Sequence, residues 1–258
     1  MRRRLFLILF FAGFAGILSF LLVDLSAFLA LIPAQPGIEI PVVTPALKIL
    51  SLIQPTVLLV IAVLIGNLLA PKVGLSAPFA EALATRQPAG PALKPQLVPG
   101  VWGGVIGSAS ILLTGAAFRL ALTDEMIQRT DKLGNLIPIP TRLLYGGITE
   151  ELLMRWGLMT LFVWVAWRVF QRRAVKPTKG SFVAAILVSS LIFGMGHLPI
   201  ALILLPEAKA VVIPFVVFAN SVFGVVAGYL YWKYGLESAV VAHMLCHVVL
   251  VIATYLIT

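Results

Sequence analysis

Residues 141–166 read TRLLYGGITEELLMRWGLMTLFVWVA, an apolar run that nevertheless carries Glu150, Glu151 and Arg155 near its middle. A bilayer core of about 30 Å is crossed by roughly 20 mostly apolar residues, so the run is long enough to span. An ionisable group inside such a segment is costly unless it faces a protein interior or a water-filled cavity, and there it usually has work to do. The stretch therefore predicts a membrane helix whose charges turn inward toward other helices. All three histidines of the chain, His197, His243 and His247, also lie within apolar runs. A buried active site is the first expectation.

Working outward, further apolar runs occur near residues 5–23, 52–70, 99–121, 181–198, 210–231 and 237–257. Together they predict an all-α, polytopic transmembrane bundle of about seven spans. The count rises to eight if residues 5–34 divide into two elements. The composition agrees: 60% of residues are hydrophobic and 11% charged, beyond what a soluble domain of 258 residues needs for its core. The net charge of +9 does not indicate nucleic acid, because the basic residues fall at the ends of apolar runs. The first run follows Arg2, Arg3 and Arg4 but lacks a clear small-residue cleavage site, so it reads as an uncleaved helix rather than a signal peptide.

Basic residues set the topology. The N-terminal arginines, then Lys72, Arg86 and Lys94, then Arg168, Arg172, Arg173, Lys176 and Lys179, and finally Lys233 all share one side of a seven-span chain. This places the N-terminus in the cytoplasm, in what reads as a prokaryotic plasma membrane. The 168–179 cluster is suited to anionic lipid headgroups. Residues 71–96, rich in Pro, Ala and Gly, read as a plain connector. Cys246 is the sole cysteine, so neither an intrachain disulfide nor a thiolate zinc cluster is available.

Three segments carry chemistry. In the first, Glu151 and Arg155 are one helical turn apart and positioned to pair, while Glu150 is rotated by about 100° and points elsewhere. Thr149 with its two acids also reads as a helix start, which would make the acids a capping sequence. In the second, His197 ends an apolar run between small residues that permit close helix contact, and it also reads as a hydrogen-bonded core residue. In the third, His243 and His247 share one helix face at a spacing that suits shared hydrogen bonding or metal ligation. The zinc-protease pattern needs glutamate directly after the first histidine; Met244 stands there. Polar interhelical bonding is the plainer alternative.

Taken in order, Glu150-Glu151-x-x-x-Arg155, Phe193-x-x-x-His197 and His243-x-x-x-His247 resemble the CPBP family, the CAAX proteases and bacteriocin-processing enzymes also called Abi proteins. The resemblance covers roughly residues 140–258. It divides the chain into N-terminal spans and linkers, 1–140, and a catalytic helix bundle, 141–258, within one integral membrane domain. Two positions depart from the family pattern. Trp156 precedes Gly157 where the family often has Gly directly after the arginine, and His247 stands where it often has Asn.

The resemblance implies an intramembrane endopeptidase in which a glutamate activates water without an acyl-enzyme. Carried onto this chain, Glu150 is the base, Glu150 and His197 hold the water, His243 and His247 donate to the oxyanion, and Glu151 and Arg155 hold the site in shape. No cofactor is required in this reading; zinc or another divalent ion held by Glu150, His197, His243 and His247 is the alternative. The expected partners are membrane lipid and a membrane-associated peptide or protein, prenylated or not. A non-catalytic immunity or scaffold protein of the same fold and an ion transporter are the competing functions. The oligomeric state is not legible. Counting along the runs leaves one tension: Glu150 lies within its helix, His197 near the outer end of its run and His243 near the inner end of its own, so their depths do not coincide.

Overall fold

A computed structural model describes residues 2–33, 42–171 and 174–257. Among these residues the chain is helical with no strand. Among the described residues seven helices are long and apolar enough to cross a membrane: Arg2–Leu22, Pro45–Val73, Ala89–Arg119, Ile139–Phe170, Lys179–Leu204, Ala210–Tyr234 and Leu236–Leu256. These are the first to seventh spans, and the protein is an integral membrane protein. The expected split of residues 5–34 does not add a span. Asp24 ends the first one, accepting from the backbone N–H groups of Ser26 and Ala27 to start a short helix, Leu25–Leu29. Of the basic cluster expected to fix topology, Arg172 and Arg173 lie outside the described residues.

Spans in lipid gain little from the hydrophobic effect against one another, so close approach of backbones through small residues supplies much of the packing. The third span does this with a ladder of glycines. A Cβ on Gly100 would come 2.8 Å from Val241 of the seventh span, and one on Gly103 would come 2.4 Å from Leu230 of the sixth. Gly104 faces Leu245 and the carbonyl of Ala242, and Gly107 faces Phe223. The sixth span repeats the device against the fifth, with Gly224 on Ser190 and Gly228 on Ile186. The first span closes on the fourth in the same way: Gly16 abuts Thr149 and the carbonyl of Leu144.

Two expectations are corrected here. Residues 71–96 are not a plain connector. They form a helix, Pro78–Thr85, followed by the first turns of the third span, and Leu75, Ala77, Ala80, Ala84 and Gln96 are buried. Their polar groups tie down the start of the seventh span: Glu237 accepts from the N–H of Ala80 at 2.9 Å, Gln96 accepts from that of Ser238, and Ser76 from that of Leu236. Alanine and glycine allow that closeness, which the composition alone does not distinguish from a flexible linker. Second, the third span begins well before Pro99 and runs through both Pro95 and Pro99. Gln96 donates to the carbonyl of Ala92 in this proline-containing stretch.

The glycine ladder yields a direct test. A Cβ on Gly104 would meet backbone as well as side chain, at 2.8–3.0 Å, whereas Gly115 on the same helix has nothing within 4 Å. Overpacking of this kind typically costs about 1–3 kcal/mol, while Gly→Ala at an open helical position gains up to about 1 kcal/mol. Gly104→Ala is expected to lower the melting temperature in detergent and Gly115→Ala to hold or raise it; equal shifts would show that the ladder does not set the packing.

Candidate active site

The fourth span is not the plain α-helix the sequence predicts. Arg142–Glu150 and Leu152–Met159 are wound as π-helix, with one α-like residue, Glu151, between them. Wider turns of this kind are uncommon and concentrate at functional sites. Thr149, which read as a helix start, is buried mid-span instead; its hydroxyl donates to the carbonyl of Gly13 at 2.7 Å and fixes the first span to the fourth. The capping alternative for the two acids therefore fails, because no helix begins there.

The two glutamates have separate environments. The Glu151 side chain is fully buried, with Oε2 3.2 Å from Nε of Arg155 and Oε1 2.7 Å from Nδ1 of His243. The Arg155 contact lies off the N–H direction, so it acts as a charge pair rather than a linear hydrogen bond. Arg155 is itself buried; it donates from Nη2 to the carbonyl of Gly224 at 3.0 Å and lies over the ring of Phe193. Glu150 keeps 21% of its side chain exposed, with Oε2 3.9 Å from Nε2 of His243. His243 thus has one ring nitrogen on the buried carboxylate and the other toward the accessible one.

His247 stacks on His243, with ring centroids 4.9 Å apart and planes 13° from parallel. Its Nε2 is buried, without a hydrogen-bond partner, and faces Gly146, where a Cβ would come within 2.3 Å. His197 joins less directly. Its Nδ1 bonds to the carbonyl of Phe193 at 2.8 Å, and the Phe193 ring stands edge-on to both His197 and His243. His197 lies in the electrostatic surroundings of Glu150 together with His243, Glu151 and Arg155, but no hydrogen bond joins it to Glu150 among the described residues. The expected difference in depth is reduced, because the fifth span continues past His197 to Leu204 and the fourth starts at Ile139.

Several supporting residues escaped the sequence reading. Gly224 and Phe223 of the sixth span contact Arg155 and His243, the latter with ring centroids 4.4 Å apart. The spacing of Gly224 and Gly228, a small-x-x-x-small pattern, was a usable signal for that approach. Gly146 makes room for His247 and Gly147 for Met244. The departure at Trp156 has a local explanation: its ring is buried against Gly66 of the second span, whose missing side chain leaves the notch it fills, and Gly157 packs on Ala62.

Among the described residues, no group of three or more His, Cys, Asp or Glu side chains is arranged to hold an ion. Glu150, His197, His243 and His247 as placed do not fit the expected alternative of a shared zinc ion. The bonds that are made connect these residues to one another and to backbone.

No curated protein and no solved structure matches the chain. Residues 132–249 match the family model described as type II CAAX prenyl endopeptidase, Rce1-like. That segment contains every candidate residue described above. The paired glutamates, the arginine and the histidines, brought to one buried locus of a seven-span bundle, all lie in that matched segment, which is similar to the CPBP family of CAAX endopeptidases.

Proposed function

We propose that the protein is an endopeptidase that hydrolyses a peptide bond of a membrane-associated peptide or protein with water activated by Glu150. The observation that carries this reading is the chain of contacts from Arg155 through Glu151 to His243, ending 3.9 Å from Glu150. That gap is too long for a direct hydrogen bond, and polar atoms so separated are suited to a bridging water. Glu150, the more accessible carboxylate, takes the proton of that water as it attacks. Glu151 is buried and committed to two partners, so it positions rather than reacts.

The roles of the rings follow from their bonds. Glu151 accepts from Nδ1–H of His243, which orients the imidazole and leaves Nε2 toward the water, much as a buried carboxylate orients a catalytic histidine elsewhere. A neutral ring held this way accepts at Nε2; it donates there only as imidazolium. His247 is accordingly the better oxyanion donor, because its buried Nε2 lacks a partner and a buried polar group of this kind is expected to find one. His197, anchored by Phe193, carries the proton to the leaving amine in this scheme. No metal is required in this scheme.

The same reading has the N-terminus in the cytoplasm of a prokaryote and the basic ends of the spans against anionic lipid. The fourth span then begins, and the seventh ends, at the outer face. The chain's residues 141–258 form the catalytic bundle, and the earlier spans support it.

Glu150→Gln is expected to fold and to lose about 100-fold or more in cleavage rate, the usual scale of a general base. Purified variant within tenfold of wild type would overturn its role, and a wild-type protein that cleaves no membrane peptide would favour a non-catalytic partner. Glu151→Gln leaves a guanidinium buried with one carbonyl partner; removing half of such a pair costs about 3–5 kcal/mol. It is expected to lose activity and also melt well below Glu150→Gln. Coincident melting curves would mean that the pair is not formed.

His247 distinguishes a hydrogen-bond donor from a metal ligand. His247→Asn is expected to keep substantial activity, because an amide also donates one hydrogen bond, while His247→Ala loses it and a chelator changes neither. Metal content measured beside rate decides: bound metal lost together with activity in both variants would overturn the donor role.

A further inference from the structure

Two cavities adjoin between the outer ends of the fourth and seventh spans. The inner one, about 190 Å³, is lined by Leu143, Val248 and Ile252 and reaches His247; its exposed wall is apolar. The outer one, about 530 Å³, is lined by Asp131, Asn135 and Tyr255 and opens beside the helix Asp124–Leu136. Ile139, Arg142 and Val251 line both. The outer volume is within the usual range for ligand pockets, about 300–1,000 Å³, and the inner is below it. The inner space suits a single side chain rather than a free ligand.

Arg142 stands at the junction and is held there. Its Nε donates to the carbonyl of Ile137 at 3.1 Å and its Nη2 to that of Gly134, the last turn of the Asp124–Leu136 helix. Two of five N–H donors are thereby used, and the planar head is fixed while the rest stay available. Among the described residues no carboxylate pairs with it. Asp131 lines the outer cavity without forming an ion pair with it. An oriented, unpaired guanidinium next to an apolar recess recognises a carboxylate a short distance from an apolar group.

We infer that these cavities are the substrate subsite of the peptidase proposed above: the peptide lies between the fourth and seventh spans, one apolar side chain next to the cleaved bond fills the inner cavity, and Arg142 binds a carboxylate of the same peptide in the outer one. His247 in the wall of the inner cavity carries the assignment, since a peptide seated there lies against that ring. Arg142 is a specificity-determining residue in this arrangement, and Asp131 limits where the carboxylate sits.

The test is binding of fluorescein-labelled heptapeptides to the full-length Glu150→Gln protein in detergent, compared as free acid and C-terminal amide, as internal Glu and Gln, and with Leu or Gly at the apolar position. The acid and amide arms separate a chain terminus from an acidic side chain. Loss of a charge-assisted bond to Arg142 is expected to weaken the carboxylate peptide by about tenfold or more in Arg142→Gln while the neutral peptide is unchanged. Arg142→Lys retains part of the preference, Asp131→Asn increases it, and Val251→Phe removes the preference for Leu over Gly. If Arg142→Gln unfolds, the Asp131 and Val251 variants decide. Equal affinity for carboxylate and neutral peptides, equal weakening of both in Arg142→Gln, or displacement by phosphatidylglycerol vesicles but not by unlabelled peptide would overturn the subsite. Wild-type cleavage without carboxylate preference also overturns it and leaves the peptidase standing; preferential binding with no wild-type cleavage overturns the peptidase instead.

Discussion

The buried charge pair of Glu151 and Arg155 is the constraint on which the rest of the site depends. Two charges removed from water survive only with additional partners, since desolvation costs several kcal/mol per ion. Those partners come from other helices: Gly224 of the sixth span offers a carbonyl, Phe193 of the fifth a ring face, and His243 of the seventh an imidazole. One pair on the fourth span therefore specifies where three other spans must stand. The polar hub supplies register to a bundle whose apolar surfaces supply little.

Bringing backbones that close requires the glycines. Gly224 reaches Arg155 because it also nests on Ser190, and the third-span ladder presses the sixth and seventh spans from behind. Gly146 lets the ring of His247 sit against the fourth span. The π-wound backbone belongs to the same geometry. It lets Glu151 and Arg155 pair along the span while Glu150 stays toward an accessible space.

The spans were legible because about 20 apolar residues have few other uses, and the pairing of Glu151 with Arg155 was legible because helix spacing survives modest changes of winding. The His243–Glu151 bond was not, since i,i+4 spacing places His243 and His247 on a face without saying what they meet. The π-winding of residues 142–159 has no compositional mark. Residues 71–96 were misread because small residues serve equally in loose linkers and in tight contacts; only the partners at Leu236, Glu237 and Ser238 distinguish the two. His197 was expected to hold a water together with Glu150; the bond it makes is to the carbonyl of Phe193 on its own span, which the spacing of the motif did not reveal.

Hydrolysis within a membrane demands both a reservoir of water and a dry setting for the groups that polarise it. The unequal exposure of the two adjacent glutamates meets that demand: one side chain is fully buried and the next is 21% exposed. In the proposed reaction two identical neighbouring residues are thereby divided by environment into an orienting carboxylate and a reactive one. Since His243 contacts one and faces the other, it transmits the fixed geometry of the dry glutamate to the place where the wet one would hold water. In the proposed reaction the arginine then serves catalysis without approaching the substrate, by holding Glu151, and through it that ring, in line.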